Sequence, residues 1–347
     1  MNSRRVLHLN QRTTLALAPR ARLLWLITTL VATILVAVLS LVVGTRDVPA
    51  AEVLAAIAGD TSTLDRAAVA TRIPRTVLAL IAGASLGLAG ATMQGITRNP
   101  LADPGILGIN TGASLAVVIG VAWFGTSSAP SFIWLAIFGA AATSIFVYTI
   151  GSMGQAGATP LKLALAGTAT AIAFSSLVVA IVLPRADIAG GIRSWQIGGV
   201  GGATFERMEP VYGFLIIGFA LCLLSARKLN VLALGDELAA GLGEKVAVAR
   251  IIATIGAVIL CGATTAVCGP IGFVGLVVPH VCRLLVGVDY RWLLPFSALG
   301  GAILLTVSDV VGRLAARPSE LEVGVVTALL GAPFFIFIVR RQKVKQL

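Results

Sequence analysis

Ten apolar stretches, each long enough to cross a hydrocarbon core of about 30 Å, follow one another along this chain and leave little else to fold. They lie near residues 23–43, 76–96, 108–124, 131–150, 163–183, 210–226, 248–267, 270–287, 293–311 and 323–339. In lipid every backbone N–H and C=O must be satisfied within the segment or its neighbours, and runs of this length do so as helices. The expected fold is therefore an all-α polytopic membrane protein of about ten transmembrane helices: one domain over 23–339 between short basic tails, 1–22 and 340–347. Composition agrees, at 57% hydrophobic, 12% charged and a mean hydropathy of +0.97, against about 25% charged in a soluble domain. The Arg-rich start runs into Leu23 to Val43, about twice a signal-peptide core, and reads as a retained first span.

Charge placement orients the spans. The leading tail carries Arg4, Arg5, Arg12, Arg20 and Arg22, and the trailing tail Arg340, Arg341, Lys343 and Lys345, neither with an acid. Positive ends stay inside, so both termini are expected to be cytoplasmic, as an even number of spans requires. With Arg98, Lys162, Arg227, Lys228, Lys245, Arg250, Arg283 and Arg291, 17 of the 26 basic residues then fall inside. Thr45 to Thr71 becomes an external loop whose AEVLAAIAG suggests a short surface helix, and the glycine-rich Gly190 to Pro210 a second external excursion. Ten spans also allow a five-plus-five division, with the second to fifth related to the seventh to tenth by inverted topology. Small residues at helical spacing, such as Gly83, Gly87 and Gly90, or Gly256 with Ala253 and Ala257, let helices pack closely.

Several function classes fall away. The net charge of +11 is spread over short loops and tails rather than one basic face, so no nucleic-acid partner is expected. Cys222, Cys261, Cys268 and Cys282 lack metal-ligand spacing and read as small buried hydrophobes. No nucleophile, base and metal ligand converge, and His280 alone is a hydrogen-bonding fixture rather than a catalyst. An ion-coupled carrier needs carboxylates or histidines at midplane, yet the spans are nearly free of charge. Asp309 is the exception, and its i,i+4 spacing to Arg313 suits a local ion pair. The chain lacks G-x-x-x-x-G-K-[ST], so any nucleotide is expected on another subunit.

Between the second and third spans lies RNPLADPGILG, Arg98 to Gly108. Pro100 and Pro104 prevent a continuous helix, Gly105 and Gly108 loosen the backbone, and Arg98, Asn99 and Asp103 set polar groups beside the membrane. Between the sixth and seventh spans, the segment 228–250 holds LALGDELAAGLG, Leu232 to Gly243. There Gly235 breaks the chain, Asp236 is expected to cap a short helix, Glu237 to favour its first turn, and Gly241 and Gly243 to end it. A compact two-helix protrusion follows.

These blocks, with Arg72-Ile73-Pro74-Arg75 and the run from Gly269 through Pro279, His280 and Arg283 to Phe335, resemble the FecCD-type permeases, membrane subunits of ATP-driven importers for ferric siderophores, haem and cobalamin. The resemblance covers about Thr71 to Arg341 and is nearest to the siderophore permeases; Asp289-Tyr290-Arg291 departs from the family's common Asp-His-Arg. It implies a ten-helix subunit that pairs with a second, identical or related permease, the path lying at their interface nearest the fifth and tenth spans. It implies two cytoplasmic ATPase subunits carrying ATP and Mg, contacted through Leu234, Gly235, Asp236, Glu237, Ala240, Leu242 and Gly243. It further implies an external substrate-binding protein whose glutamates meet Arg72, Arg75 and Arg313, a ferric siderophore as solute with haem or cobalamin as the alternative, and a place in the bacterial cytoplasmic membrane. His280 and Arg283 are expected to satisfy backbone carbonyls or to turn a short helix toward the cytoplasmic partner. No cofactor is expected on this chain.

Overall fold

The computed structural model describes residues 19–44, 48–126, 128–153 and 159–341. Arg4, Arg5, Arg12, Lys343 and Lys345 of the expected tails, and the first residues of the expected external loop, lie outside the described residues.

In chain order the helices are α1 (Pro19–Val42), α2 (Ala50–Ile57), α3 (Leu64–Thr97), α4 (Ile109–Phe124), α5 (Ala129–Ser152), α6 (Pro160–Val182), α7 (Ala186–Ile197), α8 (Phe205–Met208), α9 (Tyr212–Leu224), α10 (Ala226–Leu232), α11 (Asp236–Gly241), α12 (Val246–Cys268), α13 (Val274–Val286), α14 (Tyr290–Ala315) and α15 (Val323–Arg341). Among the described residues seven helical segments are long and apolar enough to cross a membrane, and the apolar parts of α4, α13 and α15 are shorter. Each of the ten expected spans coincides with one of these ten. The sixth is composite, a turn of 3₁₀ helix at Glu209–Val211 joining α8 to α9. The surface helix expected in the first external loop is α2. The second external excursion is less irregular than its glycines suggest, because α7 occupies its first half.

α4, of 16 residues, spans about 24 Å, short of a bilayer core. The missing length comes from the chain before it. The 3₁₀ turn Pro104–Leu107 packs against α3, α4, α5, α6 and α12, so irregular backbone is sunk into protein rather than lipid, the only setting that tolerates it.

The halves share a pairing pattern. α3 packs on α13 and α14 of the second half, and α12 packs on α4 and α5 of the first. Within the halves, α4 packs on α5 and α6 as α13 packs on α14 and α15. This is the arrangement an inverted repeat of α3–α6 and α12–α15 produces. Close approach depends on absent side chains: a Cβ at Gly83 would overlap the Gly301 carbonyl, one at Gly87 the Ser297 carbonyl, and one at Gly90 the Gly275 carbonyl. The four cysteines are free and buried, as their apolar settings imply.

Candidate functional site

Every polar residue of the Arg98 to Gly108 block has a local task. Arg98 ends α3 in the left-handed conformation (φ 51°), a position that costs a residue with a Cβ roughly 1 kcal/mol. Asn99 Oδ1 accepts from Leu101 N at 2.9 Å, and Asp103 Oδ1 accepts from Gly105 N at 2.8 Å. Asp103 thereby caps the 3₁₀ turn that Pro104 begins, and Gly108 (φ 70°) reverses the chain into α4. Pro100 precedes this turn and keeps α3 from continuing.

The cytoplasmic protrusion is tied to that block. Gly235, at φ 107°, is the residue that breaks the chain, and it also stands at the cap of α11 without a side-chain bond. Asp236 is not the cap expected from its residue type. It is the first helical residue, and its carboxylate meets Arg98 at 3.1 Å and Arg250 at 2.8 Å. Two guanidiniums within reach outcompete a single backbone N–H, because both partners are charged. Glu237 sits in the first turn of α11 and Ala240 in its last, the helix ending at Gly241; Gly243 (φ 85°) turns the chain toward α12. Leu234, Leu238 and Leu242 project outward, Leu238 with 63% of its surface exposed, an apolar face that a lone soluble surface rarely offers.

A second tie runs from α10 to the start of α14. Asn230 donates to Asp289 Oδ1 at 2.7 Å and accepts from Tyr290 N at 2.8 Å. Asp289 also accepts from Arg291, and these donors pull its carboxyl down to about 2. Arg283 and His280 are directed elsewhere than expected. Arg283 donates to Gln94 of α3 at 2.8 Å, and the His280 ring lies edge-on to Phe334, its Nδ1 buried without a partner. Both therefore tie α13 to its neighbours. Pro279 is buried inside α13.

At the outer end, Arg72, Arg75 and Arg313 line one cavity of about 320 Å³ together with Thr204 and Glu320. The spacing of Asp309 to Arg313 implied a local ion pair, and the structure forms it within a wider cluster. Arg313, 2% exposed, pairs with Asp309 at 3.0 Å and donates to Ser40 O and Val43 O; Arg72 donates to Leu41 O and Val42 O. Arg75 bonds Asp309 at 2.8 Å and Glu320 at 2.6 Å. The reason is the end of α1: its last carbonyls have no helical donors and carry partial negative charge, which buried guanidiniums satisfy.

The profile of the FecCD transport family matches residues 32–341. This chain belongs to that family. It is 44% identical over 310 residues to the ferric enterobactin transport system permease protein of Escherichia coli (strain K12), covering 89% of this chain and 92% of the relative. It is 46% identical to an Fe(3+)-citrate import system permease protein of Bacillus subtilis (strain 168), covering 78% of this chain and 80% of that one. A solved structure described as an inward-facing metal-chelate type ABC transporter superposes with a TM-score of 0.80 at 27% identity, covering 92% of this chain and 99% of that chain. The FecCD chain is thus a multi-pass permease subunit of an ABC transporter, with no catalytic role of its own.

Sequence reading of this FecCD permease missed Asn230, Gln94 and Ser40, and it left Arg250 and Glu320 without partners. Nothing local marks them, since each acquires its role from a residue at least 14 positions away.

Proposed function

We propose that this chain is one of two permease subunits of an ATP-driven importer that carries a ferric siderophore into the cell across the bacterial cytoplasmic membrane. The observation that carries this reading is 44% identity over 89% of the chain to a ferric enterobactin permease. The apolar protrusion of Leu234, Leu238 and Leu242 supports an ATPase contact there, with Gly235, Asp236, Glu237, Ala240 and Gly243 shaping it. Two ATPase subunits would hold the ATP and Mg. An external binding protein would settle over the cavity of Arg72, Arg75 and Arg313, where Arg75 and Glu320 are the charged groups most open to solvent.

The test is uptake of ⁵⁵Fe from a ferric siderophore in a host stripped of its own siderophore permeases and supplied with this chain and its cognate partners. ATP-dependent uptake that survives collapse of the proton gradient is expected. Uptake that persists after ATP depletion overturns the reading, and uptake of haem or cobalamin instead moves the solute to the alternative.

A further inference from the structure

A cavity of about 310 Å³ lies between α5 and α12, lined by residues within 141–149 of the one and 251–259 of the other. In the orientation set by the basic tails, α5 ends on the cytoplasmic side at Ser152 and α12 begins there at Val246. The stretch 141–149 rises about 12 Å, which confines the cavity to the cytoplasmic half of a core about 30 Å thick. Ile145, Ile251 and Ile255 border it and are exposed. Ser144 and Thr149 turn their hydroxyls onto their own helix, donating to Ala140 O at 2.7 Å and Ile145 O at 2.8 Å, so they add carbon rather than polar groups to the wall.

Tyr148 is the polar exception. Its hydroxyl forms no hydrogen bond among the described residues and is not sealed inside the protein. One turn from the end of α5, it lies at the depth where tyrosines meet lipid headgroups. Tyr148 and Thr254 also line a smaller cleft that runs in to Thr97 and Asn99 at the end of α3, so the cavity continues from hydrocarbon depth to polar ground. The charges beside its mouth are mainly positive. Lys162 Nζ donates to Met153 O at 3.2 Å, at the end of α5. Lys245 directly precedes α12, is exposed and forms no ion pair among the described residues. Across 153–165 and 244–254 the sequence holds Lys162, Lys245 and Arg250 against Glu244 alone.

We propose that this cavity binds one phospholipid of the cytoplasmic leaflet, with an acyl chain held between α5 and α12, Tyr148 donating to an ester or phosphate oxygen, and Lys162 and Lys245 drawing an anionic headgroup. Basic sites between helices on the cytoplasmic side select such headgroups. A second permease is expected at the fifth and tenth spans, α6 and α15, whereas this cavity lies between the fourth and the seventh. The proposal is independent of the transported solute.

The test is native mass spectrometry of the purified transporter with its partner subunits, released from nanodiscs of equal parts phosphatidylglycerol and phosphatidylethanolamine. The unaltered complex retains phosphatidylglycerol, Ile255→Trp fills the cavity and loses that lipid, and Tyr148→Phe lowers its retention about two- to tenfold, the loss of one hydrogen bond. Lys162→Gln with Lys245→Gln still retains lipid but reduces the preference for phosphatidylglycerol by roughly fivefold or more, the worth of one basic residue near an anionic surface. A photoreactive maleimide on Thr149→Cys, an exposed position, captures phospholipid, and it is selective because the four native cysteines are buried. Equal retention by the unaltered complex and Ile255→Trp overturns the proposal, and so does an unchanged headgroup preference in the double lysine variant. Capture of a second permease by the Thr149→Cys label overturns it too, since that chain would then fill the cavity. The lysine variant and the label need no change in helix packing, so they decide the matter even where Ile255→Trp fails to assemble.

Discussion

The Arg313 guanidinium donates to the backbone carbonyl of Ser40 at 3.0 Å, across 273 positions of the chain. It also reaches Val43 O at 2.8 Å and the Ser40 hydroxyl at 2.7 Å, while Arg72 takes Leu41 O and Val42 O and Arg317 takes Gly44 O. Three arginines thus close the end of α1, a helix otherwise largely open to lipid. Asp309 offsets part of the buried positive charge, held between Arg75 and Arg313.

Removing one member of this cluster strands the others. Arg313→Gln is expected to cost about 3 kcal/mol, the lower end for one-sided loss of a buried pair, because Asp309 keeps Arg75. A thermal unfolding series in detergent measures it. The Asp309→Asn/Arg313→Gln double variant should lose less than the two single losses added, and strict additivity would show that the two residues do not act together.

Asp236 separates stability from coupling. Its ion pairs with Arg98 and Arg250 are part-exposed, so Asp236→Asn should shift the melting temperature little, since each such pair contributes roughly 0.2–1 kcal/mol. Asp236→Lys sets a third cation against both arginines. We expect normal membrane abundance but loss of uptake, with ATP hydrolysis no longer linked to transport. Normal uptake from well-expressed Asp236→Lys protein would place the ATPase contact elsewhere.

Glycine substitutions should divide by what faces them. Gly90→Ala drives a methyl into the Gly275 carbonyl, a rigid backbone atom, and is expected to destabilise by roughly 1–3 kcal/mol or more. Gly241→Ala meets open space and should leave the melting temperature nearly unchanged. Equal effects would mean that α3 and α13 part more readily than their packing implies.

Asp289 predicts an acid limb. Its folded carboxyl titrates near 2, below the ordinary value of 3.8, chiefly through Arg291 and Asn230. A depressed carboxyl stabilises the fold above its unfolded pKa and loses that contribution as pH falls toward 2. Asp289→Asn should therefore be less stable than the parent from about pH 5 upward, with the gap closing between about pH 4 and 2. A constant gap over that range would assign the effect to packing rather than charge.

The sequence by itself determined the ten spans, their direction, the break at Arg98 to Gly108 and the short helix after Gly235. Those follow from hydropathy, the bias of Lys and Arg toward the cytoplasm and the stereochemistry of proline and glycine, all of which act within a few residues. Only the tertiary structure decided where the charges go. Arg72 and Arg313 read only as arginines at span ends, and it is the orphan carbonyls of α1, brought beside them by the fold, that hold both side chains. Asp236 looked like a helix cap, yet Arg98 and Arg250, brought close by the folding of α3 and α12, claim its carboxylate. A guanidinium has several donors and a long reach, so its partner is set by what the fold brings near it, and residue type alone carries no record of that choice.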